Sequence, residues 1–193
     1  MQILRTRALR GPNLWTRSTA TETIVHCEPS EHDIAAIAGF EDRLRARFPA
    51  IGALAPHGAE LPVSLAHVME AAARQLQAQA GCSVTFSRTH ETVEADTYQV
   101  VVEYTEEDVG RKAVEEAEAL IRAALGDTPY DAAATVALLR ELDQDVRMGP
   151  STRNIINAAI ARNVPFRRLT SGSLVQLGWG VQARRGQAAQ LDG

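Results

Sequence analysis

Apolar residues recur along the chain at two spacings, and these predict its elements. Residues 2–10 (QILRTRALR) and 22–28 (ETIVHCE) alternate or run β-branched and predict strands. The turn Gly11-Pro12-Asn13 closes the first and Pro29 the second. In IAAIAGFEDRLRARF, residues Ile34, Ile37, Phe40, Leu44 and Phe48 share one helical face, with Ser30 or Asp33 as cap and Pro49 as terminator. Residues 50–62 carry Gly52, Pro56, Gly58 and Pro62 and predict a loop. The next helix, VSLAHVMEAAARQLQAQAG, turns Leu65, Val68, Ala72 and Leu76 inward and stops at Gly81.

The segments SVTFSRTHE and TYQVVVEY, joined by TVEAD, predict an antiparallel hairpin. A helix over 106–125 then buries Val109, Ala113, Ala117, Leu120 and Ile121, and one over 131–147 buries Val136, Leu139, Leu142 and Val146. Gly126-Asp127-Thr128-Pro129 separates them. Ser151 or Thr152 caps a short helix through Arg162, and FRRL predicts a short strand. This order fits an α+β fold: a roughly four-stranded, mainly antiparallel sheet packed with helices. The polar tail ARRGQAAQLDG reads as mobile.

Composition narrows the function classes. The chain has 193 residues, 45% of them hydrophobic, enough for one core plus an appended piece. A net charge of −4 supplies no global field toward nucleic acid. No run approaches the ~18 apolar residues of a membrane span, so the reading is a soluble, cytoplasmic protein. Lys112 is the only lysine, so most cations are the planar forks that suit carboxylates. Cys27 and Cys82 lack metal spacing and read as buried thiols.

Three groups of residues carry chemistry. Arg88, His90, Glu91 and Glu103 lie on the hairpin, where alternate positions share a face. They form either a mixed-charge binding surface or a solvated face with a cross-strand ion pair. Arg5, Arg7, Arg10 and Arg17 make a basic N-terminal set that also protects an edge strand. The segment GSLVQLGWGVQARR offers Gly172, Gly178 and Gly180 for close backbone approach and Arg184 and Arg185 for an anion. With no GxxxxGK[ST] pattern, it reads instead as a connector in which Leu177 and Trp179 pack on a neighbour.

Four segments in order, LRTRALRGPNLW, SRTHETVEADTYQVVVEY, MGPSTRNIINAAIARNVPFRRL and GSLVQLGWGVQARRGQAAQLD, resemble cyanophycin synthetases. That resemblance implies an enzyme family that ligates aspartate and arginine into a storage polymer with ATP and magnesium. The chain then corresponds to its N-terminal domain (1–165) and the start of an ATP-grasp domain or connector (166–193). The Mur-ligase-like and most of the ATP-grasp machinery lie outside it, so no cofactor is expected in this chain. The expected partners are the polymer, cyanophycin, the other synthetase domains and a second copy in a homo-oligomer, with no nucleic acid and no membrane.

The resemblance also implies roles for residues. Arg88 suits a polymer carboxylate and Glu91 a guanidinium. Some relatives carry HxxEH in the second helix, a zinc peptidase pattern; here His67 and Glu70 match and Ala71 replaces the second histidine. A zinc site therefore needs a further ligand such as His90 or His57. Three roles stay open: a polymer-binding scaffold, a degenerate zinc metallopeptidase that cuts primers, and a purely structural oligomerisation module.

Overall fold

The computed structural model describes all residues except 53, 55–61, 147–149, 171–173, 181–182 and 187–193. His57, Gly172 and the tail after Gly186 therefore lie outside the described residues. Strands β1 (Gln2–Leu9), β2 (Ala20–His26), β3 (Ser87–Glu91) and β4 (Thr97–Glu103) form one antiparallel sheet in the order β1-β2-β4-β3. The α+β expectation holds.

Alternation along these strands divides the sheet into two faces. On one, Val25, Tyr98, Val100 and Val102 meet the apolar stripes of α2 (Leu65–Ala80) and α3 (Glu107–Leu125). Those stripes are Leu65, Val68, Met69, Ala72 and Leu76 on α2, and Val109, Ala113, Ala117, Leu120 and Ile121 on α3. α2 lies over β3 and β4, and α3 over β1 and β2. Outside this layer, α1 (Phe40–Arg47) packs on α3, and α4 (Ala132–Val146) inserts Leu139 beside both long helices. No helix among the described residues is long and apolar enough to cross a membrane.

Several element expectations are corrected. The helix expected over 34–48 is broken. Ile34–Ala36 is a 3-10 turn capped by Asp33, whose carboxylate accepts from the Ala35 amide, and α1 starts only at Phe40. Gly39 sits between them at φ 65°, a left-handed conformation that ends any continuous helix. The hairpin's first strand begins at Ser87, not residue 83, because residues before it bend to meet Glu103. β2 starts two residues earlier than expected.

The C-terminal segment holds more structure than FRRL alone. After α5 (Pro150–Ala161), β5 (Phe166–Arg168), β6 (Val175–Leu177) and β7 (Arg184–Gly186) form a separate three-stranded antiparallel sheet. β6 and β7 fall in the glycine-marked segment read as a connector. The two cysteines are buried and unbridged, and burial pushes the Cys27 thiol up to about 11, which keeps it an unreactive thiol.

Helix α3 approaches the sheet end closely at Gly110. A Cβ there would stand 2.6 Å from the Tyr104 Cβ, inside contact distance. Gly110→Ala is expected to destabilise the fold by about 1–3 kcal/mol, the usual cost of overpacking, read from urea unfolding midpoints.

Candidate functional site

The second face of the sheet faces away from α2 and α3, and its chemistry follows from the strand register. One transverse row runs Arg7, Glu22, Val101, Arg88; the next runs Arg5, Ile24, Gln99, His90. The Glu22 carboxylate, 2% exposed, is central to the face. Arg7 grips it side-on, Nε donating to one oxygen and Nη2 to the other at 3.0 Å, and the Gln99 amide donates to the second oxygen. The pairing raises the Arg7 pKa further. Arg5 and Arg88, at the two edges, make no ion pair among the described residues, so the face carries a neutralised Arg7–Glu22 pair and two further cations at its rims.

Residues 10–19 lay Trp15 onto His90, with ring centroids 4.8 Å apart. Asn13 organises this loop: its side-chain amide donates to the carbonyls of Gly11 and Ser18, while its carbonyl accepts from the amides of Trp15 and Thr16. Burial, and then the neighbouring Arg88 cation, lower the His90 pKa; Glu22 opposes them.

The four hairpin residues are not equivalent. Arg88 and His90 share the open face. Glu91 has the opposite parity and accepts from the Tyr98 hydroxyl at 3.4 Å. Glu103 has the parity of the open face, but its carboxylate turns to the amides of Thr85 (2.7 Å) and Phe86 (2.8 Å) and to the Thr85 hydroxyl. Its own carbonyl accepts from Gln77 of α2 at 3.0 Å, so Glu103 ties helix to sheet.

His67 and Glu70 lie in the first turns of α2. Ser64 is the N-cap, and its amide donates to His67 Nδ1 at 3.2 Å, with the Ser64 hydroxyl 2.8 Å from the same nitrogen. The amide has only a proton to give, so Nδ1 holds the lone pair and a neutral ring carries its proton on Nε2. A metal-bound histidine has the opposite polarity, donating its second ring N–H to an acceptor. Ala71 supplies no donor atom, and among the described residues no three His, Cys, Asp or Glu side chains cluster as a metal site. These residues do not fit a zinc ion.

A cavity of about 380 Å³ opens between the end of the large sheet and β5, lined in part by Arg10, Tyr104, Glu106, Phe166 and Arg168. Ion pairs bridge its walls, Arg10 to Glu107 at 2.6 Å and Arg168 to Glu106 at 2.9 Å. The neighbouring Trp179 ring lies 3.3 Å from the position of a Cβ at Gly11. This is a seam between the small sheet and the main body.

The fold is that of a cyanophycin synthase-like N-terminal domain. The model of that family matches residues 24–126, more than half of the chain, and the chain belongs to it. It is similar along its whole length to the cyanophycin synthetases of Trichormus variabilis and Nostoc sp., at 33% identity over 212 residues. The cyanophycin synthetase of Crocosphaera subtropica is 32% identical over 206 residues, covering 97% of this chain. The chain spans only 23% of the length of these relatives.

Sequence reasoning passed over Glu22, Gln99 and Trp15. A signal for Glu22 was available: in TETIV it is flanked by β-branched threonines, and an acid inside a β-branched run needs a partner. Arg7 was identified as an edge cation, but not as that partner.

The His90 environment makes a signed prediction. Arg88→Ala is expected to raise the His90 pKa toward the ordinary 6.5, and Glu22→Gln to lower it further, read from ring-proton NMR. Because the folded chain binds this proton less readily than the unfolded chain, the stabilising contribution is full above about pH 6.5 and falls as the pH drops below it. His90→Gln is expected to remove that slope from unfolding measurements.

Proposed function

We propose that this chain holds cyanophycin for the ligase domains of a cyanophycin synthetase, using the open sheet face. The observation that carries the reading is the arrangement of charge there: Arg5 and Arg88, with no ion pair among the described residues, stand at the edges of a sheet face that α2 and α3 leave uncovered, with the Arg7–Glu22 pair between them. The polymer implied by the resemblance carries carboxylates and guanidinium groups in regular alternation, and a surface of both signs complements it. Arg88 and Arg5 take its carboxylates, and His90 stacked on Trp15 supplies a planar wall. Glu91 lies at the hairpin rim, and Glu103 acts beneath the surface by fixing the strand that carries Arg88.

In the same reading, residues 1–165 are the holding domain, and residues 166–193 are the connector or first strands of the ATP-grasp domain. The Arg168–Glu106 ion pair and Trp179 along the seam dock that connector on the body. ATP and magnesium act in the domains that follow, and ligation is their chemistry.

The test is calorimetric titration of the 193-residue chain with short β-Asp-Arg oligomers. Binding is expected to weaken between about 0.01 M and 0.15 M salt, over which the screening length falls from about 30 Å to 8 Å. Arg88→Ala is expected to cost about 1 kcal/mol, roughly a fivefold loss of affinity. Salt-independent binding, or binding indifferent to Arg88→Ala, sinks the assignment of this face.

A further inference from the structure

We propose that Glu22 and Gln99 form a seat for a guanidinium group, and that Arg7 fills it in the free protein in place of an arginyl group of a ligand. The acceptor is built into the sheet. Glu22 is 2% exposed in an interior strand, and Gln99 from the adjacent strand donates to it, so the carboxylate keeps its orientation when Arg7 leaves. The present occupant is held as a planar fork, through Nε and Nη2 on the two oxygens. That geometry selects guanidinium over ammonium.

Arg7 itself is not part of the rigid frame. It lies on the edge strand, and its side chain is 55% exposed while that of Glu22 is 2% exposed. Rotation about its side-chain bonds is enough to vacate the seat; no strand has to move. A second guanidinium restores every hydrogen bond that Arg7 gives up, so the exchange is close to neutral at the acceptor.

What favours an incoming ligand is the surroundings. Arg5 is two residues from Arg7 on the same strand face, and Arg88 ends the row that contains Glu22. Neither has an ion pair among the described residues. A ligand bearing a carboxylate beside its arginyl group gains contacts that Arg7 cannot make. The ligand class is thus an arginyl compound with neighbouring carboxylates, either free arginine or a chain of such units. The choice of the chain rests on the polymer-holding role proposed above; the seat does not.

Arg7 competes as a tethered group, at an effective concentration in the millimolar range or higher. Removing it exposes the seat. Arg7→Ala is expected to bind L-arginine at least about tenfold more tightly than the intact chain, and L-arginine is expected to raise its melting temperature. L-citrulline, which has the shape without the charge, and L-lysine, which has the charge without the fork, are expected to do neither. The gain is expected to vanish in Arg7→Ala/Glu22→Gln. Equal responses to arginine and citrulline, or a gain that survives loss of Glu22, overturn the seat.

If Arg7→Ala is unfolded, its refolding by arginine but not citrulline supports the seat, and failure to refold with either is decided on the intact chain. There the Arg7 Nε–H resonance is followed while arginine is added. Movement to the position of a solvent-exposed arginine supports exchange, and an unchanged resonance at saturation overturns it. Rescue by arginine with no oligomer binding to the intact chain keeps the seat and removes the polymer. Oligomer binding without rescue does the reverse.

Discussion

Helices α2 and α3 cover one face of the four-stranded sheet, and the interior strands β2 and β4 must be shielded on the other face without them. Most of the unusual features of the molecule answer that constraint. Val101 points to the open face and is fully buried, so neighbouring side chains close over it. Along that face Arg7 reaches over Glu22, Gln99 donates beside it, and the Asn13-centred loop lays Trp15 on His90. An apolar cover would protect the strands as well, but it would leave a hydrophobic patch in water or require a permanent partner.

A sheet covered in this way presents charge in fixed positions. The register sets Arg7, Glu22, Val101 and Arg88 in one row, at strand spacings of about 4.8 Å. A carboxylate in the second strand and cations at the edges therefore have set separations, which a flexible loop could not maintain. The positions are rigid where the backbone is, and adaptable only in the exposed ends of the arginines.

The core face depends on a different kind of tie. Gln77, buried on α2, donates to the carbonyl of Glu103, and the Glu103 carboxylate collects the amides of Thr85 and Phe86. Helix, strand end and hairpin entry are thereby joined through one residue. Ser64 and His67 do similar work at the other end of α2, where the side chain that matches a zinc motif accepts the cap amide instead. At the seam, Arg168 and Glu106 hold the small sheet beside the start of α3.

Local periodicity was enough to identify the long helices, the hairpin and the α+β class. Val109, Ala113, Ala117, Leu120 and Ile121 recur at helical spacing, and all five are buried. Local backbone chemistry was weaker evidence: Gly39 stood inside an apolar pattern good enough to suggest one helix, and only its left-handed φ broke it. β6 and β7 are three residues each, too short for any alternation to register. The charged residues Arg88 and Glu103 were visible in the sequence, but which of them faces outward unencumbered was not. What tertiary structure alone decided is the strand order β1-β2-β4-β3, which pairs segments about eighty residues apart. That pairing, a matter of long-range burial with no local signal, set Glu22 between Arg7 and Gln99. The sequence by itself determined that the chain carries arginines suited to carboxylates; the sheet determined which of them are bound to the protein's own acid and which remain open.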